Sequence, residues 1–263
     1  MSFAGNVAEI YDRHLSKALF DPFAKKLVQG LPESGIALEV ACGTGGCTRR
    51  LASTMGSDST LVAIDSSESM ISLASRKLVA PKPIYWLRAR AEALPFDDFT
   101  FETVICGFGV MFFDDRLRAL REIRRVLMPG GIFRYTVWAH PTQNAWIEVV
   151  AQELARHFPE SDPTWYDAPF CFSDIQANLD VLDQAGFPEA TVTPIRLTLR
   201  EPDPKSLARG FIQANPEIRK LVTGRQLPLT LLESALATAF TSKFGDPIRA
   251  PMRAFMFEAG AMD

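Results

Sequence analysis

The chain has 263 residues, with 28 Lys plus Arg against 31 Asp plus Glu, a formal charge of -3, and 47% hydrophobic and 22% charged residues. At roughly 150 residues per domain, that length allows one large domain with an elaboration, or two at most. The composition is that of a folded globular chain and argues against disorder. The near-neutral balance lacks the cationic field that phosphate backbones require, so nucleic acid is not an expected partner.

The longest continuous apolar stretch, Val104 to Phe113, is half the roughly 20 residues that span a bilayer. No membrane span is expected. The first residues carry neither a basic nor an apolar signal segment, which makes the cytoplasm the expected location. Cys42, Cys47, Cys106 and Cys171 form no CxxC pair, and only three histidines accompany them. Reduced structural thiols are expected, with no metal site.

Along the chain, Val7, Ile10, Tyr11, Leu15, Leu19 and Phe20 recur at helical spacing, and Asp21-Pro22 reads as a cap and first turn, predicting two N-terminal helices. Ile36 to Val40 is a short apolar run that enters a glycine-rich segment, as a buried parallel strand does. The rhythm repeats with strands at Leu61 to Ile64, Ile84 to Arg88, Thr103 to Gly107 and Ile132 to Trp138, and helices at Glu68 to Leu78 and Asp115 to Leu127. This alternation predicts an α/β fold with a doubly wound, mostly parallel sheet. MPGG before Ile132 reads as a turn.

After Trp138 the pattern becomes a helix and an aromatic loop that includes Pro163, Trp165 and Tyr166. Ser173 and Gln176 form a capping box that opens a helix closed by Gly186. Ala190 to Leu199 alternates as a late strand, residues 203–245 read as helical, and Met252 to Gly260 supplies the last strand. The whole is one domain: a helical cap over 1–30, a core over 31–140, substrate-side lid elements over 141–189 and 203–245, and a final strand within 246–263.

Function concentrates at Glu39-Val40-Ala41-Cys42-Gly43-Thr44-Gly45-Gly46, where glycines let backbone N–H groups approach a ligand and aim the next helix at it. Asp65 ends the next strand, where the hydroxyls of a ribose come within reach. A polar turn in Ala91 to Gly109 sets Ala91 and Glu92 beside the same crevice.

Together with Ala-Glu-Ala-Leu-Pro-Phe from Ala91 and Leu-Arg-Glu-Ile-Arg-Arg-Val-Leu-Met-Pro-Gly-Gly ending at Gly131, these motifs resemble the class I S-adenosylmethionine-dependent methyltransferases. Within that class the chain is similar to the small-molecule group that includes the ubiquinone- and menaquinone-biosynthesis C-methyltransferases. The resemblance implies a seven-stranded Rossmann-like sheet whose last strand is antiparallel, and S-adenosylmethionine as cofactor. It further implies that Glu39 holds the methionine ammonium, Gly43 and Gly45 line methionine and ribose, and Asp65 accepts the ribose hydroxyls. Ala91 would meet adenine through its backbone, the Cys106 carbonyl would lie near the ammonium, and Tyr11 would close over the cofactor. Ala41, Ser66, Met70 and Glu92 complete the implied surroundings. Two departures stand out: Ala41 where relatives often carry glycine, tolerable if its φ is negative, and Arg90 where an aspartate often accepts from adenine.

Methyl transfer from a sulfonium needs positioning and water exclusion more than covalent help. A phenolic or enolic acceptor would gain from a base, for which His14 and His140 are the candidates. His157 reads as a helix-end charge, and the arginines Arg116 to Arg125 as a solvated helix face. Phe108, Met111, Phe112, Trp138, Phe170 and Phe172 predict a pocket for an apolar or aromatic acceptor. The expected activity is methyl transfer to oxygen or carbon of a small acceptor, with a homodimer compatible. One alternative keeps the fold and binds the cofactor without transferring methyl. A nicotinamide oxidoreductase is disfavoured, because Thr48 stands where its third glycine belongs and Glu39 would face a pyrophosphate.

Overall fold

The computed structural model describes residues 3–80, 83–160, 167–224 and 227–261. Its N-terminal segment is one helical run: α1 (Phe3–Tyr11), a π-helical stretch (Asp12–Phe20) and α2 (Asp21–Val28). Two separate helices are the sequence expectation, and the structure corrects it. Pro22 falls in the first turn of α2, where a missing N–H costs nothing, so the proline changes the helix register without breaking it. The Asp21 N–H donates to the Ser16 carbonyl, the five-residue step of a π-helix.

Strand β1 (Ile36–Val40) leads through α3 (Gly46–Thr54) to β2 (Thr60–Asp65), and α4 (Glu68–Lys77) leads to β3 (Ile84–Arg88). β4 (Phe101–Gly107) then precedes α5 (Arg116–Val126) and β5 (Leu127–Trp138). These five strands are parallel. β1 and β4 are covered on both faces, which is why they read as continuous apolar runs. β7 (Ile248–Gly260) enters antiparallel between β5 and β6 (Thr191–Glu201), completing the order β3-β2-β1-β4-β5-β7-β6. The sheet is the one predicted.

MPGG is not a turn between elements. It lies inside β5, where Gly130 has φ 72° and the pairing with β4 shifts between Phe101 and Thr103. The Gly130 N–H donates to the Ala261 carbonyl and the Ala261 N–H to that of Gly131, so partners on the next strand hold the glycines as a bulge.

The remaining helices are α6 (Ala145–His157), α7 (Ile175–Gln184), α8 (Pro204–Gln213), α9 (Pro216–Gly224) and α10 (Leu229–Phe244). Asp174, not Ser173, caps α7, accepting from the Ala177 N–H at 2.8 Å, while Gln176 bonds Asp180. Pro163, Trp165 and Tyr166 lie outside the described residues. Helix α8 lies against the π-helical stretch: a Cβ on Gly210 would stand 2.5 Å from Leu15, so glycine is what permits that approach. The α5 face is less solvated than its charges suggest. Arg116 bonds the Met111 carbonyl at 2.8 Å and lies over the Phe172 ring, and Arg125 binds Glu122 and Asp98. No helix among the described residues is long and apolar enough to cross a membrane.

Candidate active site

The loop after β1 bends three times into left-handed backbone, at Ala41 (φ 57°), Gly43 (φ 55°) and Gly45 (φ 84°). A Cβ on Gly43 would meet nothing within 4 Å, so the space over the loop is open. At the strand tip Glu39 is 1% exposed and accepts from the Thr48 hydroxyl at 2.5 Å. Burial pushes its pKa up to about 8, with the Asp65 charge adding to the rise and the Thr48 hydrogen bond opposing it. None of the described ion pairs involves Glu39.

Asp65, at the tip of β2, ties the two loops together. One carboxylate oxygen accepts from the Gly43 N–H at 2.9 Å and the other from the Ser67 N–H at 2.8 Å. Burial raises its pKa in spite of these bonds. Each oxygen retains acceptor capacity for a further donor.

Two cavities meet over this loop. The inner one, about 50 Å³, is lined by Glu39, Ala41, Gly43, Thr44, Gly46 and Cys47, with Gly107 and Thr136 on its far side. The outer one, about 320 Å³, is lined by Leu15, Phe112, Trp138, Trp146, Phe170 and Phe211 among others. Tyr11, Phe20 and Phe108 line both, and they form the partition. Tyr11 stacks on Phe20 with ring centroids 5.3 Å apart, and Phe108 stacks on Trp138 at 4.3 Å. Burial first, then nearby acidic groups including Asp65, raise the Tyr11 phenol well above its usual range, so it stays neutral. The inner cavity alone is smaller than the roughly 300 Å³ of a small ligand site, whereas the two joined exceed it.

The structure thus brings together Tyr11, Glu39, Ala41, Gly43, Phe108, Phe112, Trp138 and Phe170. The other candidate residues lie elsewhere or are otherwise engaged. Gly45 caps α3 and faces Ala74, Leu78 and Trp86; Gly46 lines the inner cavity in its place. Cys106 is enclosed within β4, and its neighbour Gly107 reaches the cavity. Ser66 is exposed, and its carbonyl accepts from Arg88. Met70 lines a separate groove of about 680 Å³ with Val7, Ala8 and Pro216. Ala91 is buried beside Glu92, whose carboxylate is taken up internally by the Asp114 N–H at 2.9 Å. Arg90 turns outward to pair with Asp114 at 2.5 Å. Ala41 has a positive φ, so the condition under which its methyl is tolerated without strain is not met.

Neither candidate base lines the two cavities. His14 bonds Ser206 of α8 at 2.8 Å, tying that helix to the N-terminal run, and burial lowers its pKa. His140 is exposed and caps the turn Pro141–Gln143 through Thr142. Met111 and Phe172 are packed in the core, the latter beneath Arg116. Sequence reasoning missed Ser16, Phe20, Cys47, Thr136, Trp146, Phe211 and Asn215 at the cavities. It also met Thr48 only as an absent glycine. That buried threonine nine residues after the strand-tip acid was the signal available.

A doubly wound sheet in this order, carrying an acid at the tip of β1 beside an open glycine-rich loop and a second acid at the tip of β2, is the class I methyltransferase architecture. Residues 15–156, more than half of the chain, match the model of the ubiE/COQ5 methyltransferase family, and the chain belongs to that family. It is 29% identical over 204 residues to the 2-phytyl-1,4-naphtoquinone methyltransferase of Thermosynechococcus vestitus, covering 72% of this chain and 90% of that one. The demethylmenaquinone methyltransferase of Staphylococcus aureus is 33% identical over 158 residues, which is 58% of this chain and 64% of its own length. Among solved structures, phosphoethanolamine N-methyltransferase 2 of Haemonchus contortus superposes with a TM-score of 0.57 at 17% identity, covering 92% of this chain and 52% of that one. The enzyme is an S-adenosylmethionine-dependent methyltransferase. Its residues fit that cofactor, because Glu39 is a buried carboxyl group with no cationic partner among the described residues, at the edge of an open glycine cradle.

Proposed function

We propose that the chain methylates an oxygen or carbon of a small aromatic acceptor of the quinol or phenol class, seated in the outer cavity. The observation that carries this reading is the sharing of Tyr11, Phe20 and Phe108 between a small acidic cavity and a larger apolar one. Bound cofactor supplies an activated methyl group on a sulfonium. Glu39 would hold the ammonium of its methionine portion, Gly43 and Gly46 would let it approach the loop, and Asp65 would accept from its ribose.

Lining residues of the outer cavity include no Asp, Glu, Lys, Arg or His among the described residues. A cationic amine would find no counter-charge there, whereas an aromatic ring finds aromatic walls. With no base on the cavity wall, the acceptor has to ionise on its own account, as a quinol or phenol does. Phe108 and Trp138 then orient the ring, and the aromatic walls limit the water that reaches it. Two relatives, a 2-phytyl-1,4-naphtoquinone methyltransferase and a demethylmenaquinone methyltransferase, support the same acceptor class.

The test is transfer of a labelled methyl group to 1,4-naphthoquinol, compared with a simple phenol and a primary amine. Label is expected in the naphthoquinol and not in the amine. Cofactor binding without transfer to any quinol or phenol overturns the assignment.

A further inference from the structure

The polar side-chain groups on the outer cavity are few: the Tyr11 hydroxyl, the Trp138 and Trp146 indoles, and the Asn215 carboxamide. Trp146 is 2% exposed, and its Nε1–H has no hydrogen-bond partner among the described residues. Buried donors are almost always paired, and a phenylalanine would fill an apolar wall without leaving one unpaired. The ring is held in place by Phe211, stacked at 5.5 Å, by the edge contact of Trp138 at 5.3 Å, and by Phe170 at 6.0 Å.

Asn215 stands on the same cavity with its orientation fixed by a second task. Its Oδ1 accepts from the N–H groups of Glu217 at 2.9 Å and Ile218 at 3.3 Å, capping α9. The amide nitrogen is therefore the end left for the cavity. Both groups are donors, and neither is charged. Such a pair suits an oxygen with lone pairs and offers nothing to an ammonium group or a plain hydrocarbon.

We infer that Trp146 and Asn215 select the acceptor by donating to an oxygen on its ring, a carbonyl or a phenolate. This rests on the reading above that the outer cavity receives the acceptor. The indole N–H is enclosed in the free chain, so the incoming oxygen reaches it as the surrounding rings shift. A site built to hydrogen-bond one atom discriminates strongly against an analogue that lacks it, because the donors are then left unpaired.

The experiment is calorimetric titration of the full chain, saturated with S-adenosylhomocysteine, using 1,4-naphthoquinone and naphthalene as probes. Trp146→Phe keeps an aromatic ring and removes the N–H. Asn215→Ser keeps a capping oxygen and removes the amide donor. Each substitution is expected to weaken naphthoquinone binding about tenfold, as loss of one hydrogen bond does. Naphthalene affinity should stay within about twofold if packing is unchanged, and S-adenosylhomocysteine affinity should not change. Equal naphthoquinone affinity in wild type and both variants, including no measurable binding to any, overturns the inference, as does an equal loss for both probes. Turnover is not read, so a chain that binds the quinone through these donors yet transfers no methyl would refute the proposed function and leave this assignment standing.

Discussion

Ala41 and Gly109 face each other across the floor of the crevice: a Cβ on Gly109 would lie 2.5 Å from the Ala41 Cβ and 2.6 Å from the Cys106 sulfur. Ala41 itself sits at φ 57°, where an L side chain costs roughly 1 kcal/mol. Gly109→Ala should therefore destabilise the protein by about 1 to 3 kcal/mol, the cost of overpacking. In an Ala41→Gly background that loss should shrink, since one of the two clashes is gone. Denaturant unfolding of the four proteins in the cycle measures the coupling. Strict additivity would mean that the two residues do not meet.

Glu39 links pH to cofactor affinity. A carboxyl group raised to about 8 is protonated in the free protein at neutral pH and attracts a cation only after it ionises. Affinity for S-adenosylmethionine should therefore rise with pH up to about 8 and then level off. Glu39→Gln should bind weakly and flatten this dependence. Its effect on folding has the opposite trend. Because the folded pKa exceeds the unfolded one, the unfolded chain binds fewer protons between about 4.5 and 8, and stability falls as pH rises through that window. The melting temperature of Glu39→Gln should gain on that of wild type from pH 5 to pH 9. A constant difference across that range counts against the raised pKa.

How the residues became legible follows from what each depends on. Strands β1 to β5 and their helices are local patterns of apolar runs and caps, and these were readable to within a few residues. The glycine-rich loop and the tips at Glu39 and Asp65 were readable because they lie next to those strands. The acceptor wall was only half readable. Phe108, Phe112, Trp138 and Phe170 follow strand ends and a loop, but Phe20, Trp146 and Phe211 sit on amphipathic helices whose apolar faces look the same whether they meet core or cavity. The surroundings of the two histidines were unreadable for a related reason. What each imidazole does is set by its partner, Ser206 for His14 in the π-helical stretch and Thr142 for His140 just past β5, and neither pairing is local to the catalytic motifs.

Those partners make a direct prediction. His14→Gln and His140→Asn should each keep turnover within about twofold of wild type, because neither ring lines the reacting cavities. General-base loss instead costs about a hundredfold or more. The pH profile of kcat should follow the ionisation of the acceptor and shift when a more acidic phenol is supplied. A limb that does not move with the acceptor and disappears in one histidine variant would reinstate that residue as the base.

Phe112 and Phe108 should separate acceptor recognition from architecture. Phe112 is 58% exposed at the rim of the outer cavity, whereas Phe108 is 8% exposed, borders both cavities and packs against Phe20, Phe23 and Trp138. Phe112→Ala removes little buried surface, so the melting temperature and cofactor affinity should hold while KM ratios between bulky and small acceptors change. Phe108→Ala opens the partition and leaves a cavity, which should cost about 3 to 5 kcal/mol of stability and weaken both ligands. Its φ of 56° leaves that figure unchanged, because alanine has a Cβ and carries the same backbone strain. Thermal melts, cofactor titration and acceptor KM values on the two variants make the comparison. Equal losses of cofactor and acceptor binding in Phe112→Ala would place that ring in the scaffold, and the mouth of the acceptor site would then have to lie elsewhere.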